Sequence, residues 1–164
     1  MSEAIEQGHK KCLLLHTIMN SSARLRIRGA KRAMKKYGLQ SANIHVHPLE
    51  YFLSSETWRI NRFLRSGASL IYCMDDFIAL QVLKRLKDMD IQIPLHVSLI
   101  SHDDLDFAES MGITTVHQDL EKEGQEAVLA MHRMLKGEIT RIRQLLPSKV
   151  VVRRSLGPPP AGKK

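Results

Sequence analysis

Short apolar runs alternate with longer segments of helical periodicity along most of the chain. In the clearest example, an apolar run over residues 69–73 precedes an amphipathic segment over 76–89, and a second apolar run follows over 97–100. A short run without polar interruptions is typical of a parallel strand that is covered on both faces. The pattern therefore predicts a strand, a helix and a second parallel strand in succession.

The same alternation continues on both sides of this unit. Further strands are predicted for residues 11–15, 44–49, 114–116 and 149–153, and further helices for residues 3–7, 21–37, 54–67 and 119–136. Strands that alternate with helices indicate an α/β fold with a mainly parallel sheet, and right-handed crossovers place helices on both faces of that sheet. One domain is predicted over residues 1–156, followed by a disordered tail over 157–164.

Two predictions concern the side chains that face the core. The helix that follows the first central strand is predicted to bury a stripe of Phe77, Leu80, Leu83 and Leu86. The lone tryptophan, Trp58, is predicted to point inward from the preceding helix. Both helices are thus expected to pack against the sheet through large apolar side chains.

Two pairs of carboxylates follow the two central strands. Asp75 and Asp76 follow the first strand, and Asp103 and Asp104 follow the second. Ligands of open parallel sheets bind at the carboxyl ends of the strands. An aspartate after a strand is also a common N-cap of the next helix, and this interpretation is preferred for Asp76 and Asp104. Asp75 and Asp103, each one residue nearer its strand, are the better ligand candidates.

The composition indicates a globular domain. Hydrophobic residues make up 43% of the chain and charged residues 26%. Cys12 and Cys73 both lie in apolar runs, which favours buried thiols and a reducing compartment over a disulfide scaffold. No apolar run is long enough to span a bilayer, and the N-terminal residues lack the pattern of a signal peptide. A cytoplasmic location is therefore expected.

The net charge of +8 raises the question of a nucleic-acid partner. Basic residues crowd the helix predicted for residues 21–37 and the C-terminal end of the chain. No helix-turn-helix, zinc-finger or RNA-binding signature accompanies them. A solvated helix face and a basic tail are favoured, so basicity alone does not identify a nucleic-acid partner.

Metal and enzyme chemistry receive little support from the motifs. His45 and His47 share one face of a predicted strand, but no third ligand has metal-site spacing, so exposed histidines are predicted. The chain contains no glycine-rich phosphate loop, nucleophile elbow, zinc-spaced cysteine pairs or HExxH motif. Neither an enzyme nor a cofactor is therefore predicted.

An ordered set of residues runs through almost the whole chain, from about residue 3 to 158. Its members are Gly8 and His9, Arg26 with Gly29, Asp76 with Ala79, Pro94, residues 97–100 with Asp103 and Asp104, residues 114–116, Gly124 with Ala127, and residues 152–155. This set resembles the lactose-repressor/galactose-repressor family of bacterial transcription regulators. The resemblance implies an effector-binding core with the fold of the periplasmic sugar-binding proteins, in which two α/β lobes close on a small molecule.

The same resemblance implies that Arg26, Asp75 and Asp103 face the effector. A guanidinium donates hydrogen bonds in a planar fork, and carboxylates accept from hydroxyl groups. Together they suit a sugar or similar polyol. The chain departs from the family at Asp75, where asparagine is usual, and at Ser101 and His102, where a glycine and an aromatic residue are usual. The extra carboxylate needs a partner if it is buried, and His102 is the candidate.

The resemblance also implies that the chain begins only at the second lobe. The DNA-binding headpiece and most of the first lobe are expected to be absent, although residues 120–147 would belong to that first lobe. The apolar stripe of Ala127, Val128, Met131 and Leu135 would then lack its usual sheet. Self-association, or folding back on the remaining lobe, is the hypothesis for how this stripe is covered.

The leading prediction is therefore the effector-binding portion of a regulator that controls DNA binding allosterically. A homodimer is expected, with operator DNA contacted only through the headpiece missing from this chain. A solute-binding protein of the same fold that serves a sugar transporter is the alternative. An enzyme on an α/β scaffold is disfavoured, because no nucleophile and base occur together in a known motif.

Overall fold

The strands form one mixed sheet in the computed structural model, which describes residues 1–54 and 56–160. The strands are β1 (Cys12–His16), β2 (Ile44–Pro48), β3 (Leu70–Cys73), β4 (Ser98–Asp103), β5 (Thr114–His117) and β6 (Lys149–Val151). Their order is β2-β1-β3-β4-β5-β6, and every pair is parallel except β5 with β6. The predicted α/β fold with a mainly parallel sheet is confirmed.

Helices precede the first strand and connect each strand to the next along the chain. They are α1 (Ser2–Glu6), α2 (Ser21–Lys36), α3 (Leu49–Leu53), α4 (Thr57–Arg65), α5 (Asp76–Asp88), α6 (Asp106–Ser110) and α7 (Leu120–Leu135), with a 3-10 helix at Ser41–Asn43. Within the described residues, none of these helices combines the length and the apolar character that a bilayer crossing requires.

The core lies on the central strands of the sheet. All four residues of β3 are buried, and Leu14, Ile71 and Leu99 on three adjacent strands are fully shielded from solvent. Burial of every position along a strand requires cover on both faces of the sheet. Cover on both faces of the sheet therefore explains why the apolar runs in the sequence have no polar interruptions.

The buried face of α5 differs from the predicted stripe. Of the predicted stripe, Leu86 is fully buried and Leu83 is partly buried against the core, but Phe77 is 62% exposed and Leu80 also reaches solvent. The buried positions are Asp76, Ile78, Ala79, Val82 and Leu86. Apolar residues occupy more than one phase of this helix, so periodicity alone supports two stripes. Contact with the sheet buries the stripe formed by Ile78, Ala79, Val82 and Leu86, whose side chains are on average smaller than those of the predicted stripe.

The prediction that Trp58 points inward is wrong. Its side chain is 54% exposed and lies beside the Arg59 guanidinium, 5.6 Å from the ring centroid. The region predicted as one helix over 54–67 contains α4, and α3 ends just before it at Leu53. These two helices direct Phe52 and Ile60 into the core instead. Phe52 and Ile60 therefore fill the core positions of this region, and the indole of Trp58 does not.

The C-terminal part of the chain contains two contrasting segments. Helix α7 has no buried residue, and its apolar stripe faces solvent. In contrast, Gly157 is buried, and its carbonyl accepts hydrogen bonds from His9 Nε2 at 2.8 Å and Ser98 Oγ at 3.0 Å. The structure thus differs from the predicted disordered tail at Gly157, while residues 161–164 of that tail lie outside the described residues.

Candidate functional site

An ion pair joins helix α2 to the end of strand β4 at the carboxyl edge of the sheet. Arg26 lies near the start of α2, which begins at an Asn20 cap whose side chain accepts from the Ala23 N–H at 2.9 Å. Arg26 Nη2 lies 3.2 Å from Asp103 Oδ1, and Arg26 Nη1 donates to the Met74 carbonyl. The structure therefore brings two of the three predicted site residues into direct contact.

Gln118 is a third member of this cluster, and sequence reasoning missed it. Its Nε2 donates to Asp103 Oδ1 at 2.8 Å, so Asp103 accepts from both Arg26 and Gln118. Gln118 directly follows β5, the strand next to β4 in the parallel sheet. Its position after this strand is the unused signal that would have identified it. Burial raises the pKa of Asp103, and the Arg26 guanidinium opposes that rise.

A cavity of about 490 Å³ opens next to this cluster. Arg26, His102 and Gln118 line it on the side of the sheet. The other side consists of α7 and the segment that follows it, including Glu126 and Leu146. The site thus lies between the edge of the sheet and a helix that has no buried residue.

The N-cap predicted at Asp76 is wrong, because Asp75 occupies that position. Asp75 is the N-cap of α5, since its Oδ1 accepts from the Ile78 N–H at 2.8 Å, and it is absent from the described residues that line the cavity. Asp76 is fully buried and accepts from Ser101 Oγ, from Thr115 Oγ1 at 3.0 Å and from the Leu105 N–H at 2.8 Å. Asp76 therefore ties the start of α5 to β4 and β5.

The N-cap predicted at Asp104 is also wrong. Asp104 Oδ1 pairs with Arg153 Nη1 at 2.7 Å, and its Oδ2 lies 3.0 Å from His117 Nδ1. Helix α6 begins instead after Leu105, without a side-chain cap. Both Asp103 and Asp104 have positive φ, so the chain turns sharply after β4 and directs the two carboxylates to different partners.

His102 is not the partner of Asp75. Its Nε2 is hydrogen bonded to the hydroxyl of Tyr72 on the adjacent strand, and the two rings stack with centroids 5.5 Å apart. Burial, followed by the Arg26 guanidinium, lowers the pKa of His102 to about 3. The imidazole is therefore neutral near pH 7 and cannot balance a carboxylate.

The His45 and His47 pair is engaged with aromatic rings. His47 stacks on Tyr51 at 4.1 Å between centroids, and His45 meets Phe63 edge-on at 6.4 Å. Burial lowers the pKa of both histidines. In the part of the chain that the structure describes, no three side chains of the ligand types His, Cys, Asp and Glu are grouped to hold a metal ion.

The sequence of the chain matches a family model and several transcriptional repressors. A family model described as "Periplasmic binding protein-like domain" matches residues 2–156. The HTH-type transcriptional repressor PurR of Photobacterium profundum is 26% identical over 160 residues, which are 93% of this chain and 47% of that repressor. The chain thus spans about half the length of the curated relatives it matches.

Solved structures share the fold. A LacI family transcriptional regulator from Enterococcus faecium, with bound ribose, superposes with a TM-score of 0.80 at 22% identity, covering 96% of this chain and 60% of that one. The Lac repressor dimer bound to operator and the anti-inducer ONPF has a TM-score of 0.77 at 21% identity, covering 94% of this chain and 55% of that one. In both structures the matched part is a portion of a longer chain.

Proposed function

We propose that this chain, which belongs to the periplasmic binding protein-like domain family, is the effector-binding portion of a transcription regulator of the lactose-repressor/galactose-repressor family. The proposed effector is a sugar or a similar small polyol. The observation that carries the proposal is the Arg26, Asp103 and Gln118 cluster beside a cavity at the carboxyl edge of the sheet.

The chemistry of the cluster supports a hydroxylated ligand. Each hydroxyl group both donates and accepts a hydrogen bond, so it matches a site that mixes guanidinium donors with carboxylate and amide acceptors. The cavity volume of about 490 Å³ lies within the range of roughly 300–1,000 Å³ that is typical of small-molecule sites. Asp75 is not among the described residues that line the cavity, so it remains in the proposal only as a contact to a part of the effector that extends beyond the cavity. Its Oδ2 would make this contact, because Oδ1 is used in capping α5.

The repressor function is preferred over the alternatives. The PurR relative is named as a repressor, and the Enterococcus faecium structure is named as a transcriptional regulator with bound ribose. These names do not favour a solute-binding protein that serves a transporter, and they do not favour an enzyme.

We propose that the effector acts by shifting a conformational equilibrium. A ligand shifts such an equilibrium only by its difference in affinity for the two states. The cavity is bounded by the rigid sheet edge and by residues of the 120–147 segment, which we assign to the first lobe of the core. A ligand that bridges the two parts favours one relative position of the lobes. Operator binding is proposed for a full-length protein that carries a DNA-binding headpiece.

We further propose that the chain forms a homodimer. The Lac repressor structure is named as a dimer, and α7 exposes apolar side chains that a partner could cover, among them Val128, Met131 and Leu135. Folding back on the sheet does not bury this stripe. Size-exclusion chromatography with light scattering tests the proposal: the mass should rise from one to two chains with concentration, and a single-chain mass throughout would contradict it.

The effector proposal is tested by ligand-induced stabilisation. The chain and its Arg26→Ala variant are screened by thermal shift against neutral sugars, polyols, sugar phosphates and purines, and hits are measured by calorimetry. Loss of a charged hydrogen-bond donor is expected to weaken binding about tenfold or more. Asp75→Ala and Asp103→Asn should also weaken binding.

Arg28→Ala is the matched control, because Arg28 lies on the same helix and is exposed. It removes the same charge without touching the Asp103 cluster, so ligand affinity should match that of the parent chain. Equal stabilisation of the parent chain and the Arg26→Ala variant, or no stabilisation by any compound, would overturn the proposal.

A further inference from the structure

The Tyr72 and His102 pair lies at the edge of the candidate site. Tyr72 is a buried residue of β3, and His102 follows on the adjacent strand β4, where it lines the cavity. The Tyr72 hydroxyl is hydrogen bonded to His102 Nε2. The hydrogen bond between a buried hydroxyl and one ring nitrogen determines whether the other ring nitrogen donates to a ligand or accepts from it.

The position of the ring proton follows from the buried hydroxyl. A neutral imidazole carries one N–H, so His102 Nε2 either accepts from Tyr72 or donates to it. If Nε2 donated, the tyrosine proton would need another acceptor, and the structure offers it none among the described residues. A buried donor without a partner costs about 1–3 kcal/mol. Tyr72 therefore donates to Nε2, and the proton of His102 is on Nδ1.

The Nδ1–H of His102 is available to a ligand. It has no hydrogen-bond partner within the described residues. It is also not among the side-chain atoms that are sealed from solvent without a partner, which are His16 Nδ1 and Arg85 Nε. Since His102 lines the cavity, the cavity is where this donor can find an acceptor.

The charges around the cavity limit what that acceptor can be. Arg26 is the only lysine or arginine among its described lining residues, and it is already paired with Asp103. Asp119, Glu123 and Glu126 also line the cavity. A phosphorylated or carboxylated ligand would find acidic side chains and no unpaired cation here, whereas a neutral ligand avoids this repulsion.

We infer that His102, held in its Nδ1–H tautomer by Tyr72, donates to an oxygen of the effector and that this site selects uncharged polyhydroxyl ligands over phosphorylated ones. The inference rests on the proposed function for the existence of an effector. His102 is then a specificity-determining residue and Tyr72 a positioning residue.

The tautomer is tested without any ligand. Long-range proton–nitrogen correlation spectra of the chain labelled with ¹⁵N-histidine report which ring nitrogen carries the proton, and the signals missing from His102→Phe identify His102. We expect a protonated Nδ1 in the parent chain at pH 7 and a changed pattern in Tyr72→Phe. A protonated Nε2 in the parent chain, or no change in Tyr72→Phe, would overturn the role of Tyr72.

Tyr51→Phe is the control for this spectrum. It removes a hydroxyl from a tyrosine that also stacks on a histidine, His47, but is not hydrogen bonded to it. The His102 signals should stay unchanged in this variant. Circular dichroism melting of each variant shows that a changed pattern does not come from unfolding.

The ligand preference is tested with D-ribose and other neutral sugars against their phosphate esters. Neutral sugars are expected to bind at least tenfold more tightly than the esters, and His102→Phe should weaken the neutral sugars about tenfold. Equal or tighter binding of the esters would overturn the preference while leaving the proposed function in place. Binding of neither series would overturn the proposed function and the preference together, and the tautomer measurement would still decide the role of Tyr72.

Discussion

Helices α5 and α7 are both amphipathic, yet their surroundings are opposite. Helix α5 lies between β3 and β4 and buries five residues, including Ile78 and Leu86. Helix α7 follows β5 and buries none, although it is longer. The difference teaches that an apolar stripe defines which face of a helix can be buried, and that only a facing layer decides whether it is.

The two regions should differ in stability for the same reason. Burial of apolar surface contributes about 25 cal/mol per Å², and α5 receives that contribution from the sheet. Helix α7 relies on local interactions, such as its Asp119 cap on the Lys122 N–H at 3.0 Å. Most of the stability of a helix in a protein comes from packing of its apolar face, and α7 buries no residue. We therefore expect the central sheet to be rigid and the 120–147 segment to open locally.

The largest expected effect is the difference in stability loss between an alanine substitution in the central sheet and one on α7. Leu99 is fully buried on β4, whereas Leu135 on α7 is 81% exposed. Leu99→Ala should lower the free energy of unfolding by about 2–5 kcal/mol, because it leaves a cavity in the core. Leu135→Ala should change it by no more than about 0.5 kcal/mol at concentrations where light scattering gives the mass of one chain. Urea unfolding followed by circular dichroism measures both at that concentration, and an equally large loss in Leu135→Ala would mean that α7 is packed within the single chain.

A smaller effect is expected when the same chemical change is made at the start of each helix. Asp76→Asn places an amide N–H₂ among the donors of Ser101, Thr115 and Leu105, and should lower the free energy of unfolding by about 1–3 kcal/mol. Asp119→Asn keeps a good N-cap on α7 and should change it by only a few tenths of a kcal/mol. Chemical denaturation at pH 7 compares the pair, and similar values for both would contradict a structural role for Asp76.

The smallest expected effect is a change of the free energy of unfolding with pH that is caused by histidines of the sheet region. His9 is buried, with Nδ1 bonded to Ser69 Oγ and Nε2 to the Gly157 carbonyl, both at 2.8 Å, and burial lowers its pKa. The unfolded chain therefore takes up a proton at about pH 6.5, before the folded chain does. The contribution of His9 to the free energy of unfolding should be constant above that pH and fall as the pH drops below it.

Unfolding in urea between pH 8 and pH 5 measures this dependence. His45, His47 and His102 also have lowered pKa values and act with the same sign. In His9→Gln the stability at pH 8 is lower, but the slope below pH 6.5 should be shallower than in the parent chain. An unchanged slope would exclude His9 as a source. All four histidines lie outside the 120–147 segment, so acid should reduce the stability difference between the two regions.

Sequence by itself determined the elements and the edge of the sheet at which the candidate site lies. Alternation of apolar runs and helical periods depends on neighbours close along the chain, so it predicted the strands and most of the helices of the parallel sheet. The rule for parallel sheets also placed Asp75 and Asp103 at one edge, and the resemblance to the repressor family added Arg26. Arg26 and Asp103 are in contact there.

Only the tertiary structure decided which partner each side chain has. Asp75 and Asp76 are adjacent in sequence, but one caps α5 and the other joins α5 to two strands, because the fully buried carboxylate needs donors that β4 and β5 supply. Gln118 and Tyr72 entered the site in the same way, through contacts 15 and 30 residues away along the chain. Such contacts depend on strand order and register, which local periodicity does not contain.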